Sequence, residues 1–530
     1  MSTSGQTSEI EVLSQMAARL AGAAPAGWRR VTLSGFADGQ RTGSYLLTGG
    51  DGSVSDVSLV RDLRRLYKVC RTSDSSLIVK LTIDSSGWFE ATMSSGSIRS
   101  AGDFRERGIR YILRSGTAVP DAGDEQPGPS DPAPAGDPAE AVRLLRQYRE
   151  MGRRRWLDVE LDEPSDVQAM LPPEFFAARL AEAEASMGVA LPADLRALHQ
   201  VSDGDAQEGV FGRLSWWVDM AEMVALHNGD RPWASRSSRE DPFSFVRDPY
   251  PYAVVKRSVD RAGWIPFLLR PDGDYLAVDM DPAPGGRPGQ VIRIGAGCFD
   301  GTVYIADSVT ALLRQRVDAL ASAPPIEETE DWELAVEVRQ PRVQSGNWHI
   351  EGTDASLHEI PSDVQKLTVE NGGDIDLAPL RGAPLLRCVE LTGRTQADLS
   401  PLRSVPLEIL DLDLKTIDLA PLAGHPTLRA VKLTSPHPVD LSPLRSLSRL
   451  DALLVRASVL DIETIPDLDR LRYLGLRHRQ WQELWERADR TPPLDVAGLS
   501  GKVSDDQVAE WVGRFPAAAE AQRHTGRWDM

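Results

Sequence analysis

From residue 376 onward, apolar and polar positions alternate in short bursts that return at a nearly fixed interval. LRCVEL (386–391), LEILDLDL (407–414), LRAVKL (428–433), LDALLV (450–455) and LRYLGL (471–476) set apolar side chains at every second position. That is the period of a β-strand. Between them stand DLAPL (376–380), DLSPL (398–402), DLAPL (418–422) and DLSPL (440–444), spaced by 22, 20 and 22 residues, with a degraded copy, DIETI, at 461–465. Upstream the period changes. In EFFAARLAEAEASMGVALPADLRALHQVSDGD (174–205), Leu180, Ala183, Met187 and Val189 mark one apolar helix face. Gly188 breaks that helix, and Pro192 opens another with Leu195, Leu198 and Val201 on its stripe. Gly204 ends it. WIPFLLRPDGDYLAVDMDP (264–282) reads as strand, turn and strand, with Leu276, Val278 and Met280 on one face and Tyr275, Ala277, Asp279 and Asp281 on the other. Near the N-terminus, strands are predicted at 29–36, 43–48, 77–84 and 87–93, and a helix at 57–70 with Leu59, Leu63, Leu66 and Val69 inward.

Two breaks in composition divide the chain. Residues 115–140, SGTAVPDAGDEQPGPSDPAPAGDPAE, are rich in Pro, Asp, Gly and Ala and read as an extended acidic linker. ASAPPIEETED (321–331) opens a second linker. The expected fold is α+β and multi-domain. A small α+β domain (1–114) and the linker (115–140) precede a mixed sheet with flanking helices (141–320). A second linker (321–345), a repeat region (346–480) and a helical cap (481–530) follow. In the cap, WQELWERADR (481–490) and SDDQVAEWVGRF (504–515) are predicted helices, the second opened by the capping box Ser504-x-x-Gln507.

The 530 residues suffice for several cores, and 41% hydrophobic with 26% charged residues is ordinary for a globular protein. The formal net charge is −19. Phosphate backbones demand clustered Lys and Arg, so this balance speaks against nucleic acid and for a basic protein partner. Three widely separated cysteines, Cys70, Cys298 and Cys388, offer no metal spacing and indicate a reducing compartment. With no basic leader and no long apolar run, a cytoplasmic protein without membrane contact is expected.

A repeat of this length with one leucine-bearing strand per copy is the pattern of leucine-rich repeats. The Asp-x-x-Pro-Leu segments resemble the internalin-like class. A solenoid is therefore expected, with Glu408, Asp411, Asp413, Lys432 and Arg472 outward on its concave sheet. In the central unit, Leu191, Pro192, Asp194, Leu195, Leu198, Asp203 and Gly204 are followed by Trp264–Ile265–Pro266–Phe267, the turn Asp272–Gly273–Asp274, then Asp279, Asp281, Pro282 and Gly289–Gln290–Val291–Ile292. This series resembles the SUKH superfamily of cell-wall-assembly regulators and bacterial immunity proteins, although FLLRPDGD is shorter than the glycine-rich turn many members have. The resemblance implies a mixed sheet flanked by helices and a binding module without catalytic residues. The N-terminal unit resembles YezG-like immunity proteins through Gly27–Trp28, Asp51–Gly52 and the Leu81–Ala91 hairpin.

No GxxxxGK[ST], HExxH or GxSxG is present. The Asp272-x-Asp274 turn lacks the further ligands of an EF-hand, so neither metal nor cofactor is expected. Asp272 and Asp274 suit a tight turn, where Asp bonds its own backbone. Asp279 and Asp281 suit either an outward recognition surface or a structural role, bonding the PAPGGRPG loop (282–289) or Arg293. The expected function is neutralisation of a basic toxin or effector by an acidic surface of Asp272, Asp274, Tyr275, Asp279 and Asp281, with Trp264 and Phe267 as core or anchor. A regulatory scaffold is the alternative.

Overall fold

A computed structural model describes residues 8–38, 41–48, 59–70, 76–102, 107–113, 126–156, 173–204, 215–229, 242–258, 260–295, 297–298, 301–322, 346–352, 357, 360–370, 375–394, 396–515 and 521–528. The chain divides into two compact units, one of residues 1–119 with 348–530 and one of residues 120–347.

The N-terminal part of the first unit is an antiparallel sheet of β1 (Arg30–Ala37), β2 (Thr42–Thr48), β3 (Ser76–Asp84), β4 (Trp88–Gly102) and β5 (Arg107–Ile112), in the order β5-β4-β3-β1-β2. Helices α1 (Glu9–Gly22) and α2 (Val60–Cys70) bury Val12, Leu13, Met16, Leu20, Leu63 and Leu66 against Leu33, Val79, Leu81 and Phe89. The four predicted strands and the helix form. α1 was not predicted; its N-cap is Ser8, whose hydroxyl accepts from the Glu11 N–H at 3.3 Å.

The second unit holds helices α3 (Pro138–Trp156), α4 (Pro173–Met187), α5 (Ala193–Val201) and α6 (Met220–Asn228). Its strands are β6 (Trp216–Trp217), β7 (Trp264–Leu269), β8 (Tyr275–Asp279), β9 (Gln290–Ile294) and β10 (Val303–Ala306), and α7 (Val309–Ser322) closes it. The sheet order is β10-β9-β8-β7-β6, and every pairing is antiparallel. The expected mixed sheet is therefore corrected. β8, β9 and β10 each return beside the preceding strand through a short loop, which makes those pairs antiparallel, and β7 also pairs antiparallel with β6 across the longer connection that holds α6. α3, α5 and α7 supply Leu144, Leu145, Leu195, Leu198, Leu312 and Leu313 to a core with Ile265, Phe267, Leu276, Val278 and Val291.

The latter half of the proline-rich stretch is not a free tether. The Gln126 amide bonds both the N–H (3.1 Å) and the carbonyl (3.4 Å) of Arg257, and the Ser130 N–H donates to the Pro284 carbonyl at 3.0 Å. Arg287 donates to the carbonyls of Ala133 (2.9 Å) and Pro134 (3.4 Å) and pairs with Asp131. A strap without secondary structure of its own thus has its backbone satisfied by neighbouring loops. Residues 114–125, the first part of the first predicted linker, and 323–345, nearly all of the second, lie outside the described residues.

In the C-terminal segment, β11 (Asn347–Glu351) leads β12 (Lys366–Glu370), β13 (Cys388–Arg394), β14 (Ile409–Leu414), β15 (Ala430–Thr434), β16 (Ala452–Val455), β17 (Tyr473–Arg477) and β18 (Val496–Ser500). β12 through β18 are parallel and paired in chain order. The pentapeptides explain the return path. The carboxylates of Asp376, Asp398, Asp418 and Asp440 accept the N–H two residues on, at 2.8–2.9 Å, which opens a one-turn 3-10 helix with Pro in its first turn. Both leucines of each pentapeptide then point into the core. After β17 come α8 (His478–Arg487) and α9 (Asp505–Gly513), whose capping box Ser504/Gln507 forms as predicted. Trp481, Leu484, Trp511 and Val512 join the repeat core. β18 pairs antiparallel with β5, and β19 (Gln522–Arg527) pairs antiparallel with β4. Both ends of the sequence thereby build one 14-stranded sheet.

Candidate interaction site

Strand register sets Trp264, Asp279 and Gln290 side by side on β7, β8 and β9. The predicted alternation of β8 is present: Leu276 and Val278 enter the helix-covered core, and Tyr275 and Ala277 take the other face. That other face is also buried, because Val255, Trp264, Ile292 and Ile294 pack there. The expectation of outward carboxylates on this face is corrected accordingly. Asp279 is fully buried; its Oδ1 accepts from the Asp281 N–H and its Oδ2 from Gln290 Nε2, both at 2.9 Å. Gln290 Nε2 also donates to the Val254 carbonyl at 2.9 Å. Burial pushes the Asp279 carboxyl up to about 7, a rise that its two hydrogen bonds only partly offset.

Asp281 is half-buried and clamped by Lys256 Nζ (2.5 Å) and the Arg261 guanidinium (2.6 Å). Burial alone would raise its carboxyl, but the two cations hold it below the usual range. Asp274 is fully buried; Arg293 grips its Oδ2 at 2.6 and 2.7 Å, and Oδ1 accepts from the Gly297 N–H at 2.8 Å. A Cβ at Gly295 would lie 2.1 Å from Asp274 Oδ1, and Gly295 has φ +151°, so glycine is required for this wrap. Asp272 is the exposed member. It accepts from the Asp274 N–H at 3.1 Å, as the turn chemistry predicts, and pairs with Arg293 (3.0 Å) and Arg270 (3.4 Å). Burial opposes its ionisation, and these bonds outweigh it and lower its pKa. Trp264 and Phe267 are fully buried on opposite faces, and Tyr275 is buried. Four of the seven predicted residues, Trp264, Phe267, Asp274 and Asp279, thus have no exposed surface. Arg293 was expected as a partner of Asp279 or Asp281 and instead holds Asp274 and Asp272; sequence reasoning missed Lys256, Arg261, Gly295 and Gly297, and IRIGAG (292–297) carried the signal as a cation beside a glycine pair.

In the other unit, the repeat sheet presents a polar face opposite its leucines. One register row runs Thr368, Glu390, Asp411, Lys432, Leu454, Gly475, Gly498 and Arg110 across β12 to β18 and β5. Asp411 and Lys432 pair at 3.1 Å, Glu390 and Lys366 at 2.7 Å. The predicted phase is therefore correct for Asp411, Asp413 and Lys432, all half-buried on that face, while Leu410 and Leu412 are in the core. Glu408 and Arg472 sit where the strands begin: Glu408 lies between Arg387 (3.8 Å) and Arg429 (3.7 Å), and Arg472 faces Asp495.

Residues 177–315 match the SMI1 / KNR4 family (SUKH-1). The central unit contains a SUKH-1 domain. A glucan synthesis regulatory protein of Neurospora crassa is 26% identical to this chain over 176 residues, which is 27% of this chain and 33% of that protein. The SUKH-bearing chain thus matches about a third of the length of that curated relative. Two solved structures from Listeria monocytogenes are similar to part of the chain. Internalin C2 is 25% identical, covering 21% of this chain and 51% of that one, with a TM-score of 0.19. Internalin inlF is 19% identical, covering 30% and 49%, with a TM-score of 0.21. The repeat array stands on its own parallel ladder and pentapeptide caps. Among the described residues, no group of three or more His, Cys, Asp or Glu could hold a metal ion, and no helix is long and apolar enough to cross a membrane.

Proposed function

We propose that this chain is a non-catalytic binding protein of the immunity type, which neutralises a bacterial toxin or effector in the cytoplasm by docking onto it. The observation that carries this reading is the engagement of the SUKH carboxylates. Asp274, Asp279 and Asp281 are each consumed by bonds inside the domain, so they stabilise a scaffold and present no free acid–base pair to a substrate. What the two units offer a partner is surface. The net charge of −19 steers a basic partner during encounter, while Asp274 and Asp279 make no direct contact with it. The YezG-like resemblance of the N-terminal segment belongs to the same reading.

A second reading is favoured by the printed name of the Neurospora relative: a regulatory scaffold with no toxin partner. One experiment separates them. Tagged full-length protein is purified from its native cell, and co-purifying proteins are identified by mass spectrometry. Recovery of a secreted-type toxin whose activity is blocked by stoichiometric addition of this chain supports immunity. Recovery of cell-wall synthesis components, with no toxin blocked, supports the scaffold and removes the immunity reading.

A further inference from the structure

The N-terminal sheet covers its two faces differently. Val31, Leu33, Val79, Leu81, Phe89 and Ala91 bury one face under α1 and α2. On the other face α9 covers the end at β1 and β2, where a Cβ at Gly513 would lie 2.2 Å from Ser34 Oγ and Phe36 joins the repeat core. The part on β3, β4 and β19 is open. Register there sets Lys80 beside Thr92 and Arg523, Thr82 beside Glu90 and Thr525, and Trp88 beside Arg527. Lys80, Glu90, Arg523, Thr525 and Arg527 are exposed, and Trp88 is 47% exposed. The Arg527 guanidinium lies 5.0 Å from the centre of the Trp88 ring. Among the described residues, no hydrogen bond or ion pair engages the side chains of Lys80, Glu90 or Arg523. Asp84 is engaged by its own turn, accepting from the Ser86 and Trp88 N–H groups at 2.9 and 3.2 Å. Glu90 is then the carboxylate left on these strands to face Lys80, Arg523 and Arg527. A chain of net charge −19 thus carries a local excess of positive charge around an exposed tryptophan.

We infer that this open face is the centre of an interface with a folded protein, whose carboxylates meet Lys80, Arg523 and Arg527 and whose apolar surface packs on Trp88. The inference rests on the reading that the chain acts by binding a protein, and deepens it by naming a place and a chemistry of contact. Tryptophan and arginine dominate interface energetics, because they bury much surface and still bond through their polar edges. An open sheet of threonines has no cleft to enclose a small ligand. A single aromatic ring, already stacked by an arginine, gives no run of platforms for the bases of a nucleic-acid strand. From β3 to β19 is two strand spacings, about 10 Å, and from Arg523 to Arg527 is four residues, about 14 Å. That area is well below the roughly 800 Å² each partner gives to a standard interface, so neighbouring surface supplies the rim. The acidity of the whole chain governs steering, whereas this patch reads local carboxylates, since charges beyond about 8 Å are largely screened at physiological salt.

The test places the photo-cross-linking residue p-benzoylphenylalanine at position 525 of the full-length chain, beside Glu90 on the open face. The native cell is irradiated, and the cross-linked peptide is identified by mass spectrometry. A peptide from one protein, rich in Asp or Glu, is expected. That protein is then purified and titrated against the full-length chain by calorimetry. Arg523→Glu and Lys80→Glu should each weaken binding about tenfold or more. Glu90→Gln removes the opposing charge and should tighten binding roughly two- to fivefold, a gain that damage to the sheet would not produce. Unshifted thermal transitions are expected for all three variants, whose side chains are exposed. Changing an acid of the cross-linked peptide to Lys should recover binding to Arg523→Glu. Absence of a cross-link, a cross-link to nucleic acid or to a basic peptide, or affinities unmoved by the three substitutions would each overturn the inference. A toxin that co-purifies equally with wild-type and Arg523→Glu protein, and leaves position 525 without a cross-link, would sink this contact alone and leave the proposed function standing.

Discussion

Asp279 supplies a pH-dependent signal that distinguishes a buried structural carboxyl from an exposed docking one. Its folded pKa is about 7 against an ordinary 3.8, and burial is the main cause. A raised acid binds its proton more tightly in the folded state. The stability it contributes is therefore fully present below 3.8 and is lost as pH rises through about 7. The whole interval corresponds to about 4 kcal/mol at 1.36 kcal/mol per unit, and the part between pH 5 and pH 8 to roughly 2–3 kcal/mol. Asp279→Asn removes the titration. It also turns an amide N–H toward Gln290 Nε2, which adds a pH-independent cost of about 1–3 kcal/mol. Hydrogen–deuterium exchange of peptides covering β8 and β9, compared between wild type and variant at each pH, cancels the intrinsic exchange rate. The stability of the variant relative to wild type is expected to rise by roughly 2–3 kcal/mol from pH 5 to pH 8, seen as a change of about 30- to 160-fold in the rate ratio. A rate ratio constant across that range would refute the burial argument and return Asp279 to the surface.

Three further outcomes are expected. Arg293→Met leaves Asp274 buried without its cation and should destabilise the SUKH domain by about 3–5 kcal/mol in urea melts, whereas Asp272→Asn, on the exposed side of the same cation, should cost under about 1 kcal/mol. Gly475→Val drives a methyl group into Leu454 and should cost about 1–3 kcal/mol by thermal melting, with Leu454→Ala in the same chain recovering part of the loss. Removing residues 516–530 deletes β19 and Trp528, which stands 6.2 Å from Trp28 in the N-terminal core; faster proteolysis of the segment before residue 114 is expected, with the cleavage rate of the SUKH domain unchanged.

Regular, local signals carried well from sequence to structure. The repeat strands and their phase were legible because period-two alternation fixes which residues face the core, and the pentapeptides were legible because Asp bonds its own backbone two residues on. The SUKH strands and the two faces of β8 were legible for the same reason. What alternation cannot report is whether the second face is covered. Tyr275, Ala277, Asp279 and Asp281 looked like an exposed edge, yet Val255 and Trp264 close over part of that face, and the cations that compensate the carboxylates come from residues 256, 261 and 293. Such pairings depend on loop paths that no local period encodes. The strap at 126–137 was misread for a related reason: a segment poor in apolar residues can still be ordered when other loops satisfy its backbone.

The pairing of β5 with β18 bears on why the N-terminal segment belongs to the repeat array at all. A parallel ladder ends in a row of unpaired N–H and C=O groups, a template for association with other chains. In this chain β18 does not stay open, because β5 lies against it antiparallel from Ile112 opposite Val496 to Gly108 opposite Ser500. The sheet therefore continues onto a strand from the other end of the sequence, and that pairing brings the Arg110 guanidinium to 5.7 Å from the centre of the Tyr473 ring. A variant that breaks β5 pairing, such as Ile109→Pro, should uncover the β18 edge and gain self-association, read by size-exclusion chromatography at rising concentration. A variant that stays monomeric at every concentration would show that β5 is not what keeps this edge from pairing with other chains.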